Sequence, residues 1–103
     1  MIHVVLTTFA NAEDAAKAVR TLVDEQIIAC GTILSGARSI YRWKDAIEDT
    51  AESVVLLKTS AERFPALEER LRAIHPYETP EIIALDPTAV SKDYADWIIG
   101  SVP

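Results

Sequence analysis

Apolar positions follow two different periods along this chain, and the switches between them mark the elements. Residues 2–9 are a near-continuous apolar run, the signature of a strand buried on both faces. From Asn11 the spacing becomes helical, and Ala15, Ala16, Val19, Leu22 and Val23 define one buried face. Asn11 is the expected cap, with Glu13 and Asp14 in the first turn, where the helix dipole favours negative charge. Glu13–Lys17 and Arg20–Asp24 are spaced to pair on the exposed side. Residues 29–43 and 47–59 then read as two long strands folded back at Lys44-Asp45. Ser35-Gly36 interrupts the first of them and predicts a bulge or bend that re-aims its outer half. Phe64, Leu67, Leu71 and Ile74 define a second amphipathic helix, capped by Ser60, distorted at its start by Pro65 and ended by His75-Pro76. A short strand over 81–85 follows. Ser91 then caps a last helix with Tyr94, Trp97 and Ile98 on one face and Gly100 as the stop.

This order specifies an α+β fold. Two right-handed β-α-β crossovers interleaved through a hairpin make a four-stranded antiparallel sheet with both long helices on one side, followed by a short C-terminal helix. The strand from Ile2 and the strand ending in Val54–Leu57 fall at its centre. Two features do not fit an isolated domain. The hairpin strands are about twice as long as the other two, so a tip carrying Tyr41, Trp43 and Ile47 reaches beyond its own sheet. The run Val54-Val55-Leu56-Leu57 is apolar on both faces, whereas the long helices cover one. Both features predict self-association.

Composition narrows the classes. With 103 residues there is room for one domain, 1–103, and one core. A hydrophobic content of 50% is high for that size and points to surface buried against other copies. The 16 acidic and 10 basic residues, net charge -6, argue against nucleic acid and against anionic membrane. The one cysteine, Cys30, excludes an internal disulfide and suits a reducing compartment. No signal peptide and no membrane-spanning stretch is expected, which predicts a soluble, cytoplasmic chain.

Four segments occur in order along the whole chain: Ala29-Cys30, Ser39-Ile40-Tyr41-Arg42-Trp43, Leu57-Lys58-Thr59 and His75-Pro76-Tyr77-Glu78-Thr79-Pro80-Glu81-Ile82. They resemble the CutA family, the divalent-cation tolerance proteins. The resemblance implies a ferredoxin-like fold and a homotrimer similar to the PII signalling proteins. It also implies a role in the response to metal ions, with copper or another divalent cation as the bound ion.

The residues give each candidate two readings. His75 is either a helix C-terminal cap or a pocket or metal ligand, with Thr7, Tyr77 and Glu78 at the same end of the sheet. Cys30 is either a buried small hydrophobe or, with Lys58 across the hairpin, an available thiolate. Topology puts Cys30 and His75 at opposite ends of the sheet, so a metal ion joining them needs two subunits. Tyr41 and Trp43 alternate onto one face of the hairpin and Arg42 onto the other, where it is placed to pair with Glu48, Asp49 or Glu52. Tyr41, Arg42, Trp43, Lys58 and Tyr77 are the candidate cleft residues, and Lys58 or Arg42 would hold a small anionic ligand in a PII-like sensor. A non-catalytic scaffold is the third class. No Ser-His-Asp order, glycine-rich phosphate loop or His/Cys cluster supports an enzyme.

Overall fold

A computed structural model describes all residues, 1–103. The elements are β1 (Ile2–Phe9), α1 (Ala12–Asp24), β2 (Cys30–Trp43), β3 (Ala46–Ser60), α2 (Phe64–Ile74), β4 (Ile83–Leu85) and α3 (Lys92–Ser101). The strands form one antiparallel sheet in the order β2-β3-β1-β4, the ferredoxin-like arrangement expected from the sequence. Asn11 caps α1 through its side-chain oxygen, which accepts from the Asp14 N–H at 2.8 Å. Ser60 accepts from the Arg63 N–H and opens a 3-10 turn, Ala61–Arg63, ahead of α2. That turn is the distorted start Pro65 predicts, since the proline then falls in the first turn of α2, where its missing N–H is harmless.

Register assigns every strand residue to a face. His3, Val5, Thr7 and Phe9 pair with Thr59, Leu57, Val55 and Ser53 on the side covered by α1 and α2. Val5, Phe9, Val55 and Leu57 meet Ala15, Ala18, Leu22, Leu67 and Leu71 there, and all are buried. Burying such side chains contributes about 1.5–3 kcal/mol each, so this layer supplies most of the stability. The buried stripe of α1 is centred on Ala15, Ala18 and Leu22, while Val23 is exposed. Neither predicted ion pair on α1 forms. Glu25 instead takes a two-point contact from Arg70 of α2, at 2.8 Å on both oxygens.

The opposite face is only partly covered. Ile2 and Ala29 at its lower end pack against Ile98 and Val102 of α3. Thus α3 buries Ile98, while Tyr94 and Trp97 stack on each other outside, at 5.7 Å between rings. The single apolar face expected of α3 is therefore split, and Gly100 does not stop the helix, which continues through Ser101. Tyr94 of α3 reaches Cys30 in the row Cys30–Lys58–Val4–Leu85, and two further cross-sheet rows lie open above it: Thr32–Leu56–Leu6–Ile83 and Leu34–Val54–Thr8. Leu34, Ile83 and Leu85 are about half exposed.

β1 pairs with β3 from Ser53 to Ser60, so the rest of the hairpin has no third strand. Lys44 and Asp45 close it with φ of 50° and 67°, the left-handed pair of a type I′ turn. The unsupported arm runs about 23 Å at roughly 3.3 Å per residue. It stretches the molecule to 44 × 26 × 22 Å and its radius of gyration to 14.1 Å, against about 13 Å for a compact domain of this length. Only 21 of 103 residues are buried although half are hydrophobic, so the excess lies on the open face and the arm. No helix is long and apolar enough to cross a membrane.

Candidate functional site

Two sites separate at the two ends of the sheet. At the upper end, His75 follows the last turn of α2, and its ring stacks on Phe9 at 4.2 Å. Its backbone N–H closes the helix on the Leu71 carbonyl, but the ring does not reach the helix carbonyls. Instead, Nδ1 accepts from the Tyr77 N–H at 3.1 Å. That fixes the proton on Nε2, which donates to the Thr8 carbonyl at 2.8 Å. Tyr77 in turn donates its hydroxyl to Glu52 Oε2 at 2.6 Å. One chain of contacts thus ties the end of β1, the loop after α2 and the root of the hairpin arm. Thr7 points the other way, into the helix-covered layer, where its hydroxyl is buried without a partner.

Burial pushes the His75 imidazole below its usual range, partly opposed by the bond to Thr8 and the charge of Glu52. Burial also pushes the Tyr77 hydroxyl well up, and the bond to Glu52 adds to it, so Tyr77 stays a neutral donor. The His75 shift fixes the sign of a pH effect. A histidine kept neutral by folding stabilises fully above its unfolded value near 6.5, and the contribution declines as pH falls from there toward the lower folded value. Urea midpoints at one protein concentration should drop between pH 7.5 and 5.5, and His75→Gln should flatten the drop. Equal slopes in both chains would contradict the assignment.

The arm and the loop after α2 enclose a groove of about 860 Å³. Tyr41, Trp43, Tyr77 and Glu78, all singled out from the sequence, line it. So do Thr8, Ser39, Thr50 and Glu52, which the sequence placed near this region or passed over. The bulge is the reason. Leu34 pairs with Val54 but Ala37 pairs with Glu52, so one extra residue on β2 flips its outer half. Gly36, at φ 86°, takes the left-handed conformation this needs. Ser39, Tyr41 and Trp43 thereby join Glu52 and Thr50 on one face, while Ile40 and Arg42 alternate to the other, Ile40 still bordering the groove. Arg42 lies opposite Ile47 and forms no ion pair. Arg38 takes Asp49 instead, with both contacts at 2.7–2.8 Å.

At the lower end, Cys30 is half-buried and directly opposite Lys58. Lys58 turns to Thr32, donating to its hydroxyl at 2.8 Å, and the Cys30 sulfur lies 3.5 Å from the Tyr94 hydroxyl. That contact, more than burial, raises the Tyr94 hydroxyl above its ordinary range. Lys58 faces Val4 and His75 touches Thr8, four residues further along β1, or roughly 13 Å. Cys30 and His75 are not brought together within one chain.

A family model for the CutA1 divalent ion tolerance protein matches residues 3–101. The chain belongs to the CutA1 family. It is 41% identical over 98 residues to the CutA divalent-cation tolerance protein of Thermus thermophilus, covering 95% of each chain. The solved Thermus structure superposes with a TM-score of 0.95 at 39% identity over the whole of both chains. The Pyrococcus horikoshii CutA protein is 41% identical over 96 residues, 93% of each chain. A CutA from Archaeoglobus fulgidus, described as periplasmic, superposes at 0.96 with 28% identity over the whole of both chains.

The CutA1 family description implies a divalent cation, and the donors do not converge on one here. No group of three or more His, Cys, Asp or Glu side chains is arranged to hold a metal ion. His75 has both ring nitrogens engaged, Glu78 is turned outward to Lys44 at 3.8 Å, and Cys30 is at the other end. Copper(II) needs several imidazole or thiolate donors, and one chain does not assemble them.

Proposed function

We propose that this CutA1 protein acts in divalent-cation tolerance as a homotrimer of the PII-like type, not as an enzyme, with assembly as the property its surface is built for. The arm carries this reading: seven residues of each hairpin strand extend past β1 with exposed Ile40, Tyr41, Trp43 and Ile47. A two-stranded ribbon with that surface is marginal in water and gains stability from a second chain. The half-exposed Leu34, Ile83 and Leu85 on the open face offer apolar area of the same kind. A cytoplasmic, reducing setting suits the single thiol of Cys30. Light scattering on dilution should return the mass of three 11.3 kDa chains, and a single-chain mass would overturn the reading.

Metal enters this reading as a weak ligand of the single chain. Freeing His75 Nδ1 for copper means giving up its bond to Tyr77, and a good site would have to combine donors of two subunits. Calorimetry with Cu(II) should show weak binding, of the order of one surface histidine, removed by His75→Ala and unchanged by Cys30→Ser. Tight binding lost in both variants would establish a shared site between chains and reverse this preference. The PII-like alternative, an anionic ligand on Arg42 or Lys58, has less support, since neither residue lines the groove.

A further inference from the structure

We infer that the groove between the hairpin arm and the loop after α2 is a binding site for a small organic cation, an alkylammonium or a guanidinium. Its volume of about 860 Å³ is that of a small-molecule site. Its charged lining is lopsided: Glu52, Glu78 and Glu81 stand against Lys44 alone. Lys44 is already held by Glu78 at 3.8 Å, which leaves Glu52 and Glu81 without a cation.

Glu52 is the decisive residue. It is 7% exposed, and what remains accessible opens into the groove. Tyr77 occupies Oε2 with a neutral hydroxyl, and no protein donor reaches Oε1. A carboxylate this buried is costly without a counter-charge, and the second oxygen is free to take one. The walls suit the same ligand. Tyr41, Trp43 and Tyr77 present three aromatic rings, and aromatic faces attract cations that are weakly hydrated. Trp43 already does so within the chain: the Lys44 ammonium lies 5.5 Å from its ring centroid. A metal ion fits less well, because the carboxylates do not converge and aromatic walls supply no strong donors. An inorganic or organic anion is opposed by the charge of the lining.

Tyr41 and Trp43 belong both to the groove and to the arm that joins copies, so ligand binding and assembly are read on the same samples. Trp97→Phe leaves Trp43 as the only tryptophan, so fluorescence reports the groove and the arm together, and sedimentation tells the two apart. Agmatine, which carries both a guanidinium and an ammonium, should change that fluorescence saturably, and butyrate should not. Glu52→Gln should weaken agmatine about tenfold or more, while Glu68→Gln on the exposed side of α2 should leave it unchanged. Glu81→Gln on the groove lining, followed by calorimetry, should weaken it too and serves if the Glu52 variant fails to fold. Sedimentation of the same samples, with agmatine affinity lost in a variant that keeps the wild-type mass, would support a groove effect. No saturation with wild type, or equal affinity in a folded Glu52→Gln chain, would overturn the inference. So would displacement of agmatine by equimolar Mg(II), which would make the groove a metal site. A groove filled by a neighbouring chain's own basic side chain would show as no agmatine binding to the assembled protein, and that result would overturn the inference as well.

Discussion

A Trp43→Ala chain should dissociate under mild denaturant at concentrations where a Tyr94→Ala chain remains assembled. The two side chains are almost equally exposed in the single chain, 38% and 40%, so exposure does not separate them. Position does. Trp43 belongs to the unsupported arm, beside a turn of two left-handed residues, with no third strand to lie on. Tyr94 spends its surface within its own chain, stacked on Trp97 and touching Cys30. Truncating a buried large aromatic costs about 3–5 kcal/mol, and a three-fold assembly repeats the loss in every subunit. Light scattering across a urea series reads the difference, and equal populations of the assembled form for both variants would count against it.

Gly36→Val should disturb the whole outer half of the arm and not one side chain. The bulge places Ser39, Tyr41 and Trp43 beside Glu52, and it rests on a left-handed φ of 86° that a β-branched residue resists; a strand straightened with every residue kept re-pairs its outer half with the faces exchanged. Ile40 and Arg42 would then occupy the groove side, and Tyr41 and Trp43 would point away. The core layer around Val5, Leu57 and Leu67 lies inside the bulge and should survive. The expected result is a chain with near-native circular dichroism that neither assembles nor protects Trp43 from a soluble quencher. Wild-type assembly in the Gly36→Val chain would show that the faces of the arm do not matter.

Much of this architecture is legible in the residue pattern. Period-two and period-3.6 spacing place β1, the hairpin and α2, and Ser35-Gly36 marks the bulge. Where pattern and structure differ, the causes are physical. In α3, Tyr94 and Trp97 are the largest apolar residues, yet α3 meets the sheet end through the smaller Ile98 and Val102, where Ile2 and Ala29 leave little room. Gly100 does not end the helix because it has open space around it and no strained φ to satisfy. The pattern puts Arg42 among the acids of β3; it shares a face with Asp49, but Arg38, on the other diagonal, takes that carboxylate. The groove is the least legible feature. Tyr41, Trp43, Tyr77 and Glu78 stand out singly, whereas Glu52 becomes special only when the arm folds over it and Tyr77 reaches across 25 residues.

The central claim is that the arm exists to join copies of this chain, and a native mass spectrum of the protein taken directly from cells tests it most directly. It reads the number of chains and any retained small ligand in one measurement. The expected dominant species at nanomolar concentration is three 11.3 kDa chains. A dominant single chain under the same conditions would contradict the claim.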